Sequence, residues 1–208
     1  MNNYALEQAE ELFEQALEYF LGIEKEKNMI HAKELLQQSS ELGLSKSSNL
    51  LGDWYIKKII PGDNYKEAFK LYTRGYEFGD MRSFSRLAMC YEKGYGIKKD
   101  IPKALELYEK SVELGNKDAC FSIARIYEKG ENIKMDLSKA ILWYKRGYEK
   151  GDADCACNLA TCYYKGKGIE QNIEKAKEIF LAFSEYNTQN QRNLGVIFYK
   201  GTPSCKPN

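Results

Sequence analysis

The sequence holds one histidine in 208 residues, so the commonest general base and metal ligand is nearly missing. It also lacks an excess of either charge. Lys and Arg number 31, Asp and Glu 30, for a net charge of +1. That balance argues against a nucleic-acid binder built on bulk electrostatics. No stretch reaches the ~20 apolar residues that a membrane-spanning helix needs. The opening run MNNYALEQAEELFEQ carries acids where a secretory signal needs a basic region and an apolar core, so no such signal is read. With 43% hydrophobic and 29% charged residues, the expectation is a globular protein of the cytoplasm.

What is abundant is periodicity. Tyrosine stands at Tyr19, Tyr55, Tyr91, Tyr127 and Tyr163, and alanine at Ala32, Ala68, Ala104, Ala140 and Ala176. Glycine follows at Gly43, Gly79, Gly115 and Gly151, with Asn187 next in the series. Leu51, Leu87, Ile123 and Leu159 fall between them, and every series steps by 36 residues. Leu194 and Phe198 come one residue early, so the last copy slips. The repeats run over about 8–43, 44–79, 80–115, 116–151 and 152–187, with a half-repeat at 188–201 and a tail at 202–208. Residues 1–200 are read as a single repeat domain.

Each copy reads as two helices. In residues 116–151, Ala119, Ile123 and Tyr127 step by four along one face. Gly130 supplies a helix stop. Asp136 is placed to cap a second helix, whose apolar stripe is Ala140, Trp143, Tyr144 and Tyr148. Pro102 sits in a first turn, where its missing N–H costs little. Small residues at Gly52, Ala88, Ala124 and Ala160 let paired helices approach. A single pair cannot bury both faces, but stacked pairs share a core. The predicted fold is all-α: a right-handed α-solenoid of antiparallel helix pairs, about eleven helices in all.

The segments KALELYEKSVELG (103–115), KAILWYKRGYEKG (139–151) and LAMCYEKGYGIKKD (87–100) resemble the Sel-one-like repeat family, a branch of the tetratricopeptide superfamily. The resemblance covers nearly the whole chain and is strongest over about 80–172. It departs at YIKKIIPGDNY (55–65), which lacks the paired glycines, and at Asn132, which replaces Gly96 and Gly168. What the resemblance implies is a scaffold or adaptor that binds a protein partner in a concave groove, without a cofactor.

By analogy with tetratricopeptide arrays, first-helix positions flanking the Leu/Ile series face that groove. The partner-binding candidates are Asp53, Met89, Phe121, Arg125, Thr161, Tyr164 and Arg192. Aromatic, Arg and Met side chains are enriched at binding surfaces. Two other readings stand beside this one. An immunity or antitoxin-like protein would use the same preformed groove against one toxin. A hydrolase is the weaker reading, because no nucleophile–base pair is legible near the lone His31. Self-association through the last helix, residues 189–200, is a further route to a complex.

The six cysteines invite a metal or disulfide reading. Cys155 and Cys162 lie two turns apart on one helix, ~10 Å, too far for one zinc ion or a disulfide. The related Helicobacter cysteine-rich proteins link cysteines eight residues apart, and no pair here has that spacing. Free structural thiols are the expectation, with Cys120 against Cys155 or Cys157 the one conceivable pair. The GYG (94–96) and GKG (166–168) runs lie between helices with no preceding strand, so they read as turns rather than phosphate loops.

Overall fold

The computed structural model describes residues 3–23, 25–60, 64–183 and 193. Ten helices span the described residues. They are α1 (Asn3–Leu21), α2 (Met29–Glu41), α3 (Ser45–Ile56), α4 (Tyr65–Glu77) and α5 (Met81–Lys93), then α6 (Ile101–Glu113), α7 (Asp118–Lys129), α8 (Leu137–Glu149), α9 (Ala153–Lys165) and α10 (Ile173–Ala182). No strand occurs among the described residues. The half-repeat at 188–201 and its helix 189–200 lie outside the described residues, Asn193 excepted.

The chain divides into two compact units, Met1–Asn116 and Lys117–Asn208. In the first, each of α1 to α5 packs on its successor, and α3 also meets α5. In the second, α7 to α10 pack in the same order and α7 meets α9. Both are α-solenoid segments of antiparallel helix pairs.

The repeat series explain why these segments fold as they do. Leu51, Leu87, Ile123 and Leu159 are buried, as are Ala68, Ala104, Ala140 and Ala176. Each side chain or its absence is needed at a helix contact that recurs along the chain. Helix starts are equally regular. Asp100, Asp136 and Asn172 each accept the backbone N–H three residues on, at the head of α6, α8 and α10. Asp80 and Asp152 do so for α5 and α9. Such a cap is worth about 1 kcal/mol. Pro102 occupies the first turn of α6.

The glycine-poor loop after α3 differs from the others. Where α5, α7 and α9 end on Gly94, Gly130 and Gly166 in left-handed geometry, Lys58 takes that conformation at φ 55°. Asn132 also adopts it, at φ 63°, consistent with the short polar side chain that tolerates this region. At the equivalent Gly96 an added Cβ would strike the Tyr65 carbonyl and come within 2.8 Å of the Lys66 Cα. There the glycine is required by close backbone approach as well as by φ.

Trp54 is buried, as its repeat position suggests. Trp143 and Tyr148, assigned to the apolar stripe of α8, are only half-buried. The Arg146 guanidinium lies 4.9 Å from the Trp143 ring centre. An amphipathic ring can cover its neighbours while one face stays open to a cation.

Five cysteines, Cys90, Cys120, Cys155, Cys157 and Cys162, are free and buried; Cys205 lies outside the described residues. Cys120 and Cys155 both crowd Gly147, whose added Cβ would sit 2.7 Å from the Cys155 Cβ and 3.1 Å from the Cys120 Cβ. The glycine is the space these two side chains use.

Candidate functional site

A tyrosine–carboxylate clasp recurs inside successive repeats. Tyr108 of α6 donates its hydroxyl to Glu92 of α5 at 2.9 Å. Tyr144 of α8 donates to Glu128 of α7 at 2.7 Å. In the preceding repeat Ile56 stands where Glu92 and Glu128 stand and cannot accept. Tyr72 of α4 instead donates to Asp53 of α3 at 2.7 Å. The acceptor has moved three residues toward the start of the helix, so the ring lies over Gly52. An added Cβ there would be 2.5 Å from the Tyr72 Cε1 and 2.9 Å from its Cζ. Burial, then the neighbouring Asp53 carboxylate, pushes the Tyr72 hydroxyl far above its ordinary titration range.

Asp53 is engaged three times. Besides Tyr72, Arg86 of α5 grips it with both arms, Nε to Oδ1 at 2.7 Å and Nη2 to Oδ2 at 2.6 Å. Two-pronged pairing of this kind fixes orientation as well as charge. Burial disfavours the Arg86 cation, but the bonds to Asp53 outweigh it and raise its pKa. Beside it, Asn49 donates to Asp80 at 2.7 Å and accepts from the Ser83 hydroxyl at 2.9 Å. These bonds tie α3 to α5 across two repeats. They also form one wall of a cleft of about 420 Å³ between α1, α3 and α5, lined by Phe13, Lys46, Asn49, Leu50, Asp53, Asp80, Met81, Arg82 and Arg86.

In the second unit, α7 presents Phe121, Arg125 and Glu128 at one-turn spacing. Phe121 is half-buried, its ring centre 6.3 Å from that of Tyr144. The Arg125 guanidinium lies 5.5 Å from the Phe121 ring centre. Lys167, in the loop after α9, reaches Glu128 at 2.7 Å. Burial disfavours the Glu128 carboxylate, but the bonds from Lys167 and Tyr144 prevail and hold it below its ordinary value.

The sequence-derived positions therefore divide. Asp53 and Met89 belong to the first unit, Asp53 as a strut and Met89 as a half-buried side chain of α5. Phe121 and Arg125 come together on α7. On α9, the Thr161 hydroxyl is bonded to the Cys157 carbonyl at 2.8 Å, while Tyr164 is half-buried. Arg192 lies outside the described residues. Sequence reasoning missed Arg82 and Arg86. Both break the repeat: Arg82 stands where Asp118 and Asp154 follow, and Arg86 where Leu50, Ser122 and Asn158 stand. A charge that departs from the repeat at an outward position was the available signal.

The Sel1 repeat pattern matches residues 12–44, 47–80, 85–116, 117–152 and 153–184. The chain belongs to the Sel1 repeat family. Sel1 repeats are in general protein-interaction scaffolds, and proteins built from them are typically non-enzymatic.

Among solved structures, a Sel1 repeat protein from Oxalobacter formigenes is similar over 96% of this chain and 82% of its own, with 25% identity and a TM-score of 0.84. A protective antigen of uropathogenic Escherichia coli with an SLR fold matches over 91% of this chain and 41% of its own, at 28% identity and TM-score 0.73. An immunity protein from Pseudomonas aeruginosa shares the fold at 19% identity, over 94% of this chain and 72% of its own, with TM-score 0.60. Comparison with curated proteins gave no significant match.

The Sel1 repeats here bring no three His, Cys, Asp or Glu side chains into a metal-binding group among the described residues. No helix among them is long and apolar enough to cross a membrane.

Proposed function

We propose that this Sel1 repeat protein is an adaptor that binds a protein partner on the first-helix faces of its repeats. The carrying observation is the outward arrangement on α7, where Phe121 and Arg125 pair with each other at 5.5 Å and both stay partly exposed. An aromatic–arginine pair held on a rigid helix suits a binding hot spot, because little side-chain freedom remains to be lost. Met89 extends the same class of first-helix position, with Tyr164 and Asp53 as flankers. Five unpaired, buried thiols favour a reducing compartment, the cytoplasm.

The test is affinity capture from a lysate of the cell that makes the protein. Wild type is compared with Phe121→Glu/Arg125→Glu, and circular dichroism checks that both fold. A partner held by wild type and lost by the double variant supports the reading. A partner retained equally by both removes α7 from the interface. Toxin neutralisation is a narrower form of the same activity, favoured by the fold shared with the Pseudomonas aeruginosa immunity protein. It requires that co-expression rescue cells from one toxin, and that the double variant fail to do so.

A further inference from the structure

The cleft between α1, α3 and α5 shares four lining positions with a cleft two repeats onward, and two of the four reverse their charge. Two repeats onward, the second unit carries a cleft of about 560 Å³. Asp118 and Asp154 line it at the positions where Lys46 and Arg82 line the first. Helix packing alone does not require the reversal, since the same backbone framework carries either sign.

Both carboxylates of the first cleft are already engaged. Asp53 is neutralised by the two-pronged grip of Arg86. Asp80 accepts from Asn49 and from the Ser83 backbone N–H, both within 2.8 Å. Of its three bases, Arg86 is committed to Asp53, while Arg82 and Lys46 are not. Arg82 is exposed and has no ion-pair or hydrogen-bond partner among the described residues. Lys46 has only the exposed Glu10, at 3.7 Å, a pairing of small value in water. Its ammonium lies 4.6 Å from the Phe13 ring centre. Phe13, Leu50 and Met81 line the same cleft, and Met81 is more than a third exposed.

We infer that this cleft receives an acidic segment of a protein partner, with carboxylates on Arg82 and Lys46 and an apolar side chain on Phe13, Leu50 and Met81. The inference deepens the adaptor reading and rests on it. Asp53 then acts as a positioning residue for Arg86 and not as a contact. A nucleic acid is disfavoured because Phe13, Leu50 and Met81 offer no partner to a run of phosphates and only two bases are open to it.

The test is selection of a displayed random-peptide library on the full-length protein. Selected peptides are then synthesised with a fluorescein label and titrated by fluorescence anisotropy. The expected winners are rich in Asp and Glu around Leu, Phe or Met. Arg82→Glu should weaken them about tenfold or more, since reversal replaces an attraction with a repulsion. Arg82→Gln should weaken them less, and added salt should weaken wild-type binding steeply. Arg82 is exposed and makes no bond among the described residues, so neither change threatens the fold. Lys134→Glu, on an exposed residue of the second unit, should change nothing.

Winners without acids, winners unaffected by Arg82→Glu, or no winners at all would each overturn the inference. So would equal binding of a labelled single-stranded oligonucleotide. Peptides that survive Arg82→Glu but are lost in Phe121→Glu/Arg125→Glu would sink this cleft and leave the adaptor reading standing.

Discussion

Gly52→Ala isolates the shifted tyrosine clasp. Alanine is the better helix former, by about 0.8–1 kcal/mol in an exposed helix. The same position in later repeats holds Ala88, Ala124 and Ala160 without difficulty, all buried. On propensity alone the substitution should therefore stabilise α3. The structure reverses the sign. The new Cβ would meet three atoms of the Tyr72 ring at 2.5–3.0 Å. That ring is wholly buried and its hydroxyl is held by Asp53, so it has nowhere to retreat.

Overpacking of this kind costs about 1–3 kcal/mol, enough to exceed the propensity gain. The net loss, up to about 2 kcal/mol, should lower the midpoint of thermal unfolding by up to about 8 °C for a chain of this size. Circular dichroism at 222 nm reads it directly. A second variant keeps the reasoning testable. Gly52→Ala/Asp53→Met/Ile56→Glu/Arg86→Ser rebuilds the acceptor in the register used by Glu92 and Glu128 and removes the arginine that would lose its partner. It should tolerate the alanine and recover much of the lost stability. An unchanged or raised midpoint for Gly52→Ala alone would show that Tyr72 is not pinned, and the account of the clasp would fail.

Glu128→Gln tests the second-unit clasp through pH. The Glu128 carboxyl is held below its ordinary value of 4.5, so its contribution is present above that value and disappears as pH falls through the lower, folded one. Wild type should exceed the variant by about 1 kcal/mol at pH 7, a figure discounted for partial exposure; the gap should close under acid, and a gap constant down to pH 3 would contradict this. Burial pushes the Cys90 thiol up to about 12. Iodoacetamide at pH 8 should leave Cys90 unmodified until urea unfolds the chain, as peptide mapping would show. Labelling at the unfolded rate in the native protein would refute its inaccessibility.

The architecture was legible because it is written at a fixed period. Alanine, leucine and tyrosine recurring every 36 residues mark helix contacts that local physics repeats, and the caps at Asp100 and Asp136 follow from one residue type at one place. The site was less legible for the complementary reason. A groove position is defined by what the core leaves uncovered, and periodicity reports what the core demands. Phe121 and Arg125 stand out in the sequence because both are conspicuous residue types beside the Ile123 stripe. Glu92 and Glu128 stand one turn beyond Met89 and Arg125, yet each is bound to a tyrosine from its own repeat. Their role was hidden because the partner lies sixteen residues away, on the other helix of the pair. The serines at the start of the array were equally opaque: Ser39 and Ser47 are buried against each other at 2.6 Å, where alternation of apolar residues predicts none.

The tyrosine clasp also defines where this chain can be cut and rejoined. Tyr72 and Asp53, Tyr108 and Glu92, and Tyr144 and Glu128 each lie within one copy of the repeat. A whole copy moved, duplicated or deleted carries its own donor and acceptor with it. A junction placed between the two helices of a pair would join a tyrosine reaching for one register to a helix that offers the other. The donor would then be buried without an acceptor, and the alanine that suits one register would collide with the ring of the other. The exchangeable module is thus the helix pair, α3 with α4, α5 with α6 or α7 with α8, and a chimera built from single helices should fold poorly even when every one of its helices is native.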